Sequence, residues 1–463
     1  MSNVEVTTPV SSMRPYLKGR HLLFPLGLAT SLFCLWGFSY GLLDVLNKNF
    51  QNILKITRFE STTLQIVYFG GGYFCFSPIA GEILRRKGYK VTIIFGLCLF
   101  AIGAISYWPA IHFSDPSEGR KAFFRFVVCT LIIACGLATL ETSANSYVTV
   151  IGSPKTAALR LQFCQSWNGL ASFTGPLLAS KLFFATDNVT NLTNLKYVYI
   201  GVASVAVIVA ILFIFCQLPE GIDEKQTNSS TLIDETSKPL WKQYNMIFAF
   251  FAIFGYVGTQ VCVDSFFINY ATENADFVDS TASSLLSYAL MIFTGGRFVG
   301  TILANYFHAD FILALYSMVG TILTIYVSLA TGRTGVWVLM CLYFFESVMF
   351  PTIFVMGMMD LGRHARRGAG ILIMGVSGGA VLPPIQGAIA DHQSTRTSFF
   401  VPMIGLLLVF SYAVSHWIKH GTRIIKKSQK SNVEKTDQTD SPIQLKNIEK
   451  SDDSSPFLVT KPV

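Results

Sequence analysis

The sequence predicts an all-α membrane protein with twelve transmembrane helices in two pseudo-symmetric six-helix bundles. Three observations predict this class. Hydrophobic residues make up 51% of the chain and charged residues only 13%, which is more apolar surface than a soluble domain can bury. About twelve stretches of roughly 20 residues are nearly free of charge, the length that crosses a bilayer as a helix. A segment of the first half also recurs in the second half.

The predicted spans follow one another through mostly short connections. They are helical because an open sheet cannot satisfy its backbone groups in lipid. The first span follows about twenty polar residues and is too long for a signal-peptide core, so we expect a retained helix rather than a cleaved leader. In chain order the spans are approximately 22–43, 63–83, 91–110, 123–151, 161–184, 197–218, 246–270, 282–307, 312–330, 336–361, 370–390 and 399–417.

Two polar segments interrupt this pattern and divide the chain. Residues 219–240 are charged and lack apolar periodicity, which is typical of a linker. Residues 419–463 are rich in Lys, Asp and Ser, which indicates a disordered tail. The expected organisation is a cytoplasmic segment 1–20, a first bundle 21–218, a cytoplasmic linker 219–240, a second bundle 241–418 and a cytoplasmic tail 419–463.

Basic residues concentrate in alternate loops, and this bias predicts the orientation. With the N-terminus in the cytoplasm, the cytoplasmic loops and the tail hold most of the Lys and Arg. The net charge of +8 is then explained without a nucleic-acid partner. The loop between the fifth and sixth spans faces outward and contains two glycosylation candidates, Asn188 and Asn191. We expect a monomeric, multi-pass protein of the plasma membrane with both termini in the cytoplasm.

An internal repeat relates the two halves. Residues 140–152 (LETSANSYVTVIG) align without gaps on residues 345–357 (FESVMFPTIFVMG), so that Glu141 matches Glu346 and Gly152 matches Gly357. Spans four and five therefore correspond to spans ten and eleven. Duplicated halves with a substrate held between them are typical of secondary transporters.

Several other classes of chemistry lack support. The nine cysteines lie singly inside spans without a CxxC pair, so we interpret them as small buried hydrophobic residues and expect no metal site. No GxxxxGK[ST] loop occurs, which argues against ATP-driven transport. The sequence also has no HExxH pattern and no GxSxG elbow within a span, so an enzyme is not expected. No cofactor is expected other than a coupling proton.

Two carboxylates in the first half are candidates for proton coupling. An ionised Glu141 at the centre of a span would cost about 2.5–3.5 kcal/mol in lipid, so we expect it to face a polar cavity. Removal from water favours the neutral acid, so Glu141 could accept a hydrogen bond from a sugar and also carry a proton. Alternatively it lies near the inner interface, because Lys155 follows it. Asp44 lies at the end of the first span. Alternatively, this position is simply the outer boundary of the membrane, where an acidic residue needs no special function.

Amide and aromatic side chains complete the predicted binding site. Asn145 follows Glu141 by one turn, and Gln165 and Asn168 share a face of the fifth span. Amides suit sugars because they both donate and accept hydrogen bonds, although they also join packed helices. Trp36 is the best candidate to stack on a sugar ring, with packing as the alternative.

The second half carries further polar residues within its spans. Gln260 and Asp264 share a face of the seventh span, and Asn269 follows them. Glu346 lies near the middle of the tenth span. Two interpretations remain open for Glu346: a second ionisable cavity residue, or the partner of a basic group such as Arg297.

Several segments of the chain are similar to a known family. They are CLWGFSYGLLDVLNKNF, YFGGGYFCFSPIAGEILRRKGYK, LETSANSYVTVIG, LQFCQSWNGL, FFESVMFPTIFVMG and GGAVLPPIQG. These segments resemble the fucose:proton symporter family of the major facilitator superfamily, and the similarity extends from about Phe24 to Trp417. The resemblance implies the major facilitator fold, with two rocking bundles and one proton accompanying one sugar.

The resemblance also implies roles for individual residues. Asp44 matches the aspartate used for proton coupling, and Glu141 matches the glutamate that binds sugar and is itself protonatable. Asn145, Gln165 and Asn168 match polar residues of the cavity. Residues 39–43 replace an asparagine-rich stretch of the bacterial fucose carriers, and Asp264 and Glu346 are additional acids.

The form WGFSYGLLD resembles the fungal branch of the family, which includes glucose and N-acetylglucosamine carriers. The resulting hypothesis is a sugar:proton symporter that imports a hexose or N-acetylglucosamine. Its expected partners are the sugar and the lipid bilayer, with no nucleic acid. The alternatives are a sugar uniporter of the same fold and a non-transporting nutrient receptor.

Overall fold

The computed structural model describes residues 20–54, 63–113, 120–184, 193–216, 218 and 239–425, and the helices lie within these ranges. The predicted N-terminal segment, nearly all of the linker and most of the tail lie outside them. The helices, numbered in chain order, are α1 (Arg20–Leu54), α2 (Ile66–Phe76), α3 (Ser77–His112), α4 (Arg120–Val150), α5 (Ala157–Phe184), α6 (Thr193–Phe215), α7 (Tyr244–Ala275), α8 (Asp279–Tyr306), α9 (Ala309–Leu329), α10 (Arg333–Glu346), α11 (Met349–Gly357), α12 (Ala365–Met374), α13 (Gly378–His392), α14 (Thr395–Ser398) and α15 (Phe400–Lys419).

The helices of the described residues are long enough for twelve passes across a membrane. Ten stretches of the described residues are long and apolar enough to cross a membrane, and one of them, Thr63–His112, has 50 residues, enough for two crossings. Gly88 divides this stretch because its backbone (φ 81°, ψ 178°) is not helical. The 28-residue helix α5, which is not among these ten stretches, is long enough to provide the remaining pass. The predicted all-α membrane fold is confirmed.

Two passes contain irregular helix next to the centre of the molecule. Helix α2 is π-helical around its three consecutive glycines, a form that is often found at functional sites. The tenth pass breaks between α10 and α11, because Pro351 cannot donate a hydrogen bond to the Ser347 carbonyl and its ring crowds that group. The repeated segment in α4 stays continuous, since it has Ser146 at the matching position.

One end of the bundle, here called the basic end, contains the Gly88 kink, the α4–α5 turn and the α11–α12 turn. Its described basic residues in those connections are Arg85, Arg86, Lys87, Lys155, Arg363, Arg366 and Arg367. The two halves pack closely at this end, because a Cβ atom added at Gly370 of α12 would lie only 2.5 Å from the Ser77 carbonyl oxygen of α3.

An ion-pair network joins the halves at the basic end. Glu82 of α3 accepts hydrogen bonds from Arg367 of α12 (2.5 Å) and from Arg85 of its own helix (2.7 Å). Arg86 adds a third contact at 2.5 Å. Because the first of these bonds connects residues of different halves, it stabilises the conformation in which the basic end is closed.

Replacing Glu82 by Gln is expected to open the basic end. Exposed and half-exposed ion pairs contribute about 1 kcal/mol or less, so the equilibrium between closed and open conformations should shift by about fivefold at most. Spin labels placed on α3 and α12 would report this as a larger population at long separation. Glu273→Gln neutralises an exposed carboxylate on α7 and serves as the control. Identical distance distributions in the wild type and Glu82→Gln would contradict the prediction.

A second polar cluster joins two helices of the second half. The Asp310 carboxylate of α9 lies 3.0 Å from Nδ1 of His416 on α15 and 3.4 Å from Nδ1 of His420, which directly follows the end of α15. The Asp310 oxygen and the two histidine nitrogens lie within 4.8 Å of one another, a grouping that was not predicted from the sequence. His416 is buried, so its hydrogen bond to Asp310 holds the start of α9 against the end of α15.

Candidate functional site

A cavity lies between the two halves near the middle of the bundle. It offers about 70 Å³ to water molecules, which is room for several of them. The first half supplies Trp36, Tyr40, Tyr68, Phe69, Tyr73, Glu141, Gln165 and Asn168, and the second half supplies Val257, Gln260, Val261, Arg297, Phe350 and Val376. The wall therefore combines aromatic rings, amides and two groups that can be charged.

Glu141 of α4 is the acidic group of this cavity. Its side chain is 1% exposed and faces Tyr73, Asn145 and the Arg297 guanidinium. Oxygen Oε2 of Glu141 has no hydrogen-bond partner among the described residues. A buried carboxylate oxygen without a partner is costly, so this atom is available to a proton or to a ligand hydroxyl.

Asn145 lies one turn beyond Glu141 on the same face of α4. It is completely buried, and neither atom of its amide has a hydrogen-bond partner within the described part of the chain. Asn145 does not itself line the cavity, but it faces the carboxyl group of Glu141. Its unpaired amide can therefore orient that carboxyl group when the cavity fills.

The two predicted amides of α5 both line the cavity. Asn168 donates to the Phe33 carbonyl (3.1 Å) and accepts from Arg297 (2.9 Å), so it joins helices as well as lining the site. Gln165 is buried, and its Nε2 has no partner among the residues described. Gln165 is thus the amide with free donor capacity for a ligand, because Asn168 is already engaged.

Arg297 of α8 connects the two halves at the level of the cavity. Its Nη1 donates to the Gln165 carbonyl (2.7 Å) and to Asn168 Oδ1. The guanidinium also stacks on Phe293, 4.5 Å from the ring centroid. From the sequence, Arg297 was predicted only as a possible partner of Glu346. An arginine inside an apolar span is costly enough to indicate a function by itself, and this signal could have identified it.

The predicted polar residues of the second half divide between two places. Gln260 lines the cavity, whereas Asp264 lies one turn further along α7 and Asn269 further still, both half-buried and away from the cavity wall. Glu346 is fully buried at the end of α10 and faces Asp264. Neither oxygen of Glu346 has a hydrogen-bond partner in the described residues, so the suggested pairing with Arg297 is not made.

Aromatic rings form much of the cavity wall. Trp36 lines the cavity and packs against Phe33, with 5.6 Å between the ring centroids. Tyr68, Phe69 and Tyr73 extend this wall from the π-helical segment α2. These three residues were not predicted from the sequence, because aromatic residues are so frequent along this chain that position alone does not distinguish a cavity ring from a packing ring.

Three predicted residues cannot be placed in the site. Asp44 belongs to α1, but its side chain lies outside the described part of the structure. The glycosylation candidates Asn188 and Asn191 also lie outside the described residues. Their roles remain predictions.

Comparison with known proteins gives a consistent set of similarities. The Major Facilitator Superfamily profile matches residues 26–382. A glucose/galactose transporter of Brucella abortus (strain 9-941) is 31% identical over 84% of this chain and 93% of its own length. An L-fucose-proton symporter of Haemophilus influenzae is 30% identical over 86% of this chain and 97% of its own length.

Solved structures show the same similarity. A crystal structure of the major facilitator transporter FucP in the outward conformation superposes with a TM-score of 0.73 at 27% identity, covering 85% of this chain and 99% of FucP. The proton:xylose symporter XylE superposes with a TM-score of 0.64 at 14% identity, over 87% of this chain and 96% of XylE, and therefore supports the fold alone.

Proposed function

Because the chain belongs to the major facilitator superfamily, together with L-fucose-proton symporters and glucose/galactose transporters, we propose that it is a proton-coupled sugar transporter. It is a membrane carrier and not an enzyme. Its substrate is a hexose or N-acetylglucosamine, which it imports by alternating access of the cavity to the two sides of the membrane.

One observation carries this proposal: a carboxyl group with an unpartnered oxygen shares a cavity between the halves with amides and aromatic rings. Sugar hydroxyls both donate and accept hydrogen bonds, as the amides of Gln165 and Gln260 do. A sugar ring also has apolar faces, which suit the ring of Trp36. Glu141 can accept a hydrogen bond from a hydroxyl and can also bind the coupling proton.

The mechanism follows from the charges that meet in the cavity. Protonation of Glu141, and of Asp44 as the family resemblance implies, neutralises the acids and permits the sugar to bind beside Gln165, while Asn145 orients the carboxyl group of Glu141. When Glu141 of the first half is ionised, it attracts Arg297 of the second half. Arg297 is already hydrogen-bonded to α5 of the first half. This attraction stabilises the empty, unprotonated carrier in one conformation. Coupling requires such a difference between the states.

The basic end predicts the orientation in the membrane. Basic loops favour the cytoplasmic side, so we propose that this end and both termini are cytoplasmic and that the protein acts as a monomer in the plasma membrane. Closure of the basic end by Glu82 and Arg367 then leaves the cavity nearer to the outside. No cofactor takes part other than the proton.

Proton movement during sugar uptake tests the proposal. In proteoliposomes containing the full chain, addition of sugar is expected to alkalinise the external medium, and Asp44→Asn is expected to lose this signal. Asp391→Asn neutralises an exposed acid on α13 and should keep it. Sugar counterflow without proton movement at any pH would identify a uniporter, and the absence of any uptake would identify a non-transporting receptor.

Competition for uptake would define the sugar. Labelled N-acetylglucosamine should be displaced by its own unlabelled form. It should be displaced less effectively by sugars whose hydroxyl groups differ in number or direction from those that the site binds. Glucose, galactose and fucose are the informative competitors, because each changes the hydrogen bonds available to the amides and to Glu141.

A further inference from the structure

Asp310, His416 and His420 form a cluster of potential metal ligands in the second half. Asp310 lies in the first turn of α9, His416 lies in the last turn of α15, and His420 directly follows α15. Because successive passes alternate in direction, the start of α9 and the end of α15 both lie at the basic end. None of the three residues lines the cavity between the halves, so the cluster is separate from the transport steps proposed above.

The distances within the cluster match those between the ligands of a small metal ion. Oδ2 of Asp310 lies 3.0 Å from Nδ1 of His416 and 3.4 Å from Nδ1 of His420. All three ligand atoms lie within 4.8 Å of one another. Ligands placed about 2.0–2.2 Å from a tetrahedral zinc ion are about 3.3–3.6 Å apart. An ion therefore fits among these atoms after small rotations of the side chains.

The surroundings of the cluster favour a bound cation. The Asp310 side chain is 13% exposed, and the ion pairs that it makes with the described residues come from the two histidines. Its place in the first turn of α9 favours the ionised carboxylate, and the carbonyl groups at the end of α15 add partial negative charge. Lys419 and Arg423, which flank His420 along the chain, are exposed. Neutral histidines do not compensate this negative charge, whereas a divalent ion does.

We infer that Asp310, His416 and His420 bind a divalent transition-metal ion, with Zn²⁺ as the expected ion. Two imidazoles and one carboxylate are a ligand set that zinc accepts in sites with one open position. The His420 side chain is 48% exposed, whereas the His416 side chain is 5% exposed. The open position therefore faces the solution on the side of His420, where water completes the coordination.

Metal binding exchanges two existing contacts for bonds to the ion. Without the ion, His416 Nδ1 lies within hydrogen-bond distance of the Asp310 carboxylate, and His420 Nδ1 lies 2.9 Å from the His416 carbonyl oxygen. In the bound form both rings are neutral and carry their proton on Nε2, so that the Nδ1 lone pairs point to the ion. The two rings are already stacked with 4.1 Å between their centroids, which keeps the two nitrogens close together.

The ion would hold the first residues beyond α15 in place. There the chain turns back at Gly421 (φ 78°), and the backbone N–H of His308 donates to the Ile424 carbonyl (3.0 Å). This bond attaches the segment after α15 to the corner between α8 and α9. Because His420 immediately precedes that segment and Asp310 belongs to α9, one ion would cross-link the two sides of this attachment at the start of the tail.

This cluster was not expected from the sequence. The expectation of no metal site rested on the cysteines, and none of them belongs to the cluster. Asp310 and His416 lie 106 positions apart, so no spacing motif marks the site.

Zinc titration of the full chain, purified without a histidine tag and stripped of metal, tests the site. The wild type is expected to bind Zn²⁺ in calorimetry and to unfold at a higher temperature when Zn²⁺ is present. Loss of an outer-shell partner alone weakens metal sites by about 10- to 100-fold, so His420→Ala and Asp310→Asn should weaken binding by about 100-fold or more. His392→Ala removes an exposed histidine of α13 and should keep the wild-type affinity. Absence of Zn²⁺ binding in the wild type, or equal affinity in the wild type and both cluster variants, would overturn the inference.

A spectroscopic probe separates loss of the ligand from loss of the fold. His420 is half-exposed, so His420→Ala should unfold at the wild-type temperature in the absence of metal. Co²⁺ added in place of Zn²⁺ should produce the strong visible absorption of a four-coordinate ion in the wild type and not in His420→Ala. The same absorption in both proteins would also overturn the inference. Neither measurement depends on transport, so the result is independent of the proposed function.

Discussion

Glu141→Gln is expected to abolish accumulation of sugar against its gradient while leaving sugar counterflow measurable. Glutamine has the size of the protonated acid and cannot release a proton, so the carrier should exchange sugar but lose its coupling. The sugar binds to the protonated, neutral acid, and changing one neutral hydrogen bond costs about 0.5–1.5 kcal/mol, so the affinity for sugar should fall by about 2- to 10-fold. Binding titrations and gradient-driven uptake at several pH values would measure the two effects separately.

Two comparisons make this result specific to Glu141. Glu273→Gln removes an exposed carboxylate and should accumulate sugar as the wild type does. Glu141→Asp keeps an acid but withdraws it from Tyr73 and Arg297, so it should retain partial coupling. Undiminished accumulation in Glu141→Gln would show that this carboxyl group does not carry the coupling proton.

Arg297→Ala is expected to reduce uptake by about 100-fold or more and to lower the thermal stability. The substitution leaves Asn168 Oδ1 without its donor and removes the hydrogen bond that the main-chain carbonyl of Gln165 accepts from the other half. A buried acceptor without a partner costs about 1–3 kcal/mol and the loss of a hydrogen bond from a charged group about 1.5–3 kcal/mol, so the contact between the halves weakens by several kcal/mol. Initial uptake rates and the unfolding temperature of the purified protein would measure the two consequences.

Arg297→Lys separates charge from geometry. Lysine keeps the positive charge but lacks the planar fork that reaches two acceptors at once, so we expect an intermediate uptake rate. Arg333→Ala removes an exposed arginine at the start of α10 and should leave uptake unchanged. Wild-type uptake in Arg297→Ala would exclude the proposed link between the halves.

The cavity-lining residues show how far a sequence can predict a site. Trp36, Glu141, Gln165, Asn168 and Gln260 all line the cavity, as expected of polar or amphipathic side chains in apolar helices. Their prediction needed no knowledge of neighbours, because a polar group in a spanning helix is costly unless it finds a cavity or a partner. Asn145 is also buried next to the site, whereas Asp264, Asn269 and Glu346 do not line it.

The contacts between the halves could not be predicted in this way. Arg297 bonds to Asn168, which is 129 positions away, and Arg367 bonds to Glu82, which is 285 positions away. A hydropathy pattern shows that a helix crosses the membrane, but it does not show which face of that helix contacts the other half of the molecule. The sequence therefore left open whether Glu346 pairs with Arg297, and the packing of α8 on α5 gives Arg297 its hydrogen-bond acceptors on α5 instead.

The sequence by itself determined that this protein crosses the membrane repeatedly, that its halves are related and that Glu141 needs a polar environment. These properties follow from the transfer of side chains and backbone groups into lipid, which depends mainly on local composition. Only the tertiary structure decided that Asp264 faces Glu346, that Arg297 bridges the halves and that α2 supplies an aromatic wall. The energy of such a side-chain contact depends on the distance between segments that are far apart in the sequence, and that distance is set only when the helices pack.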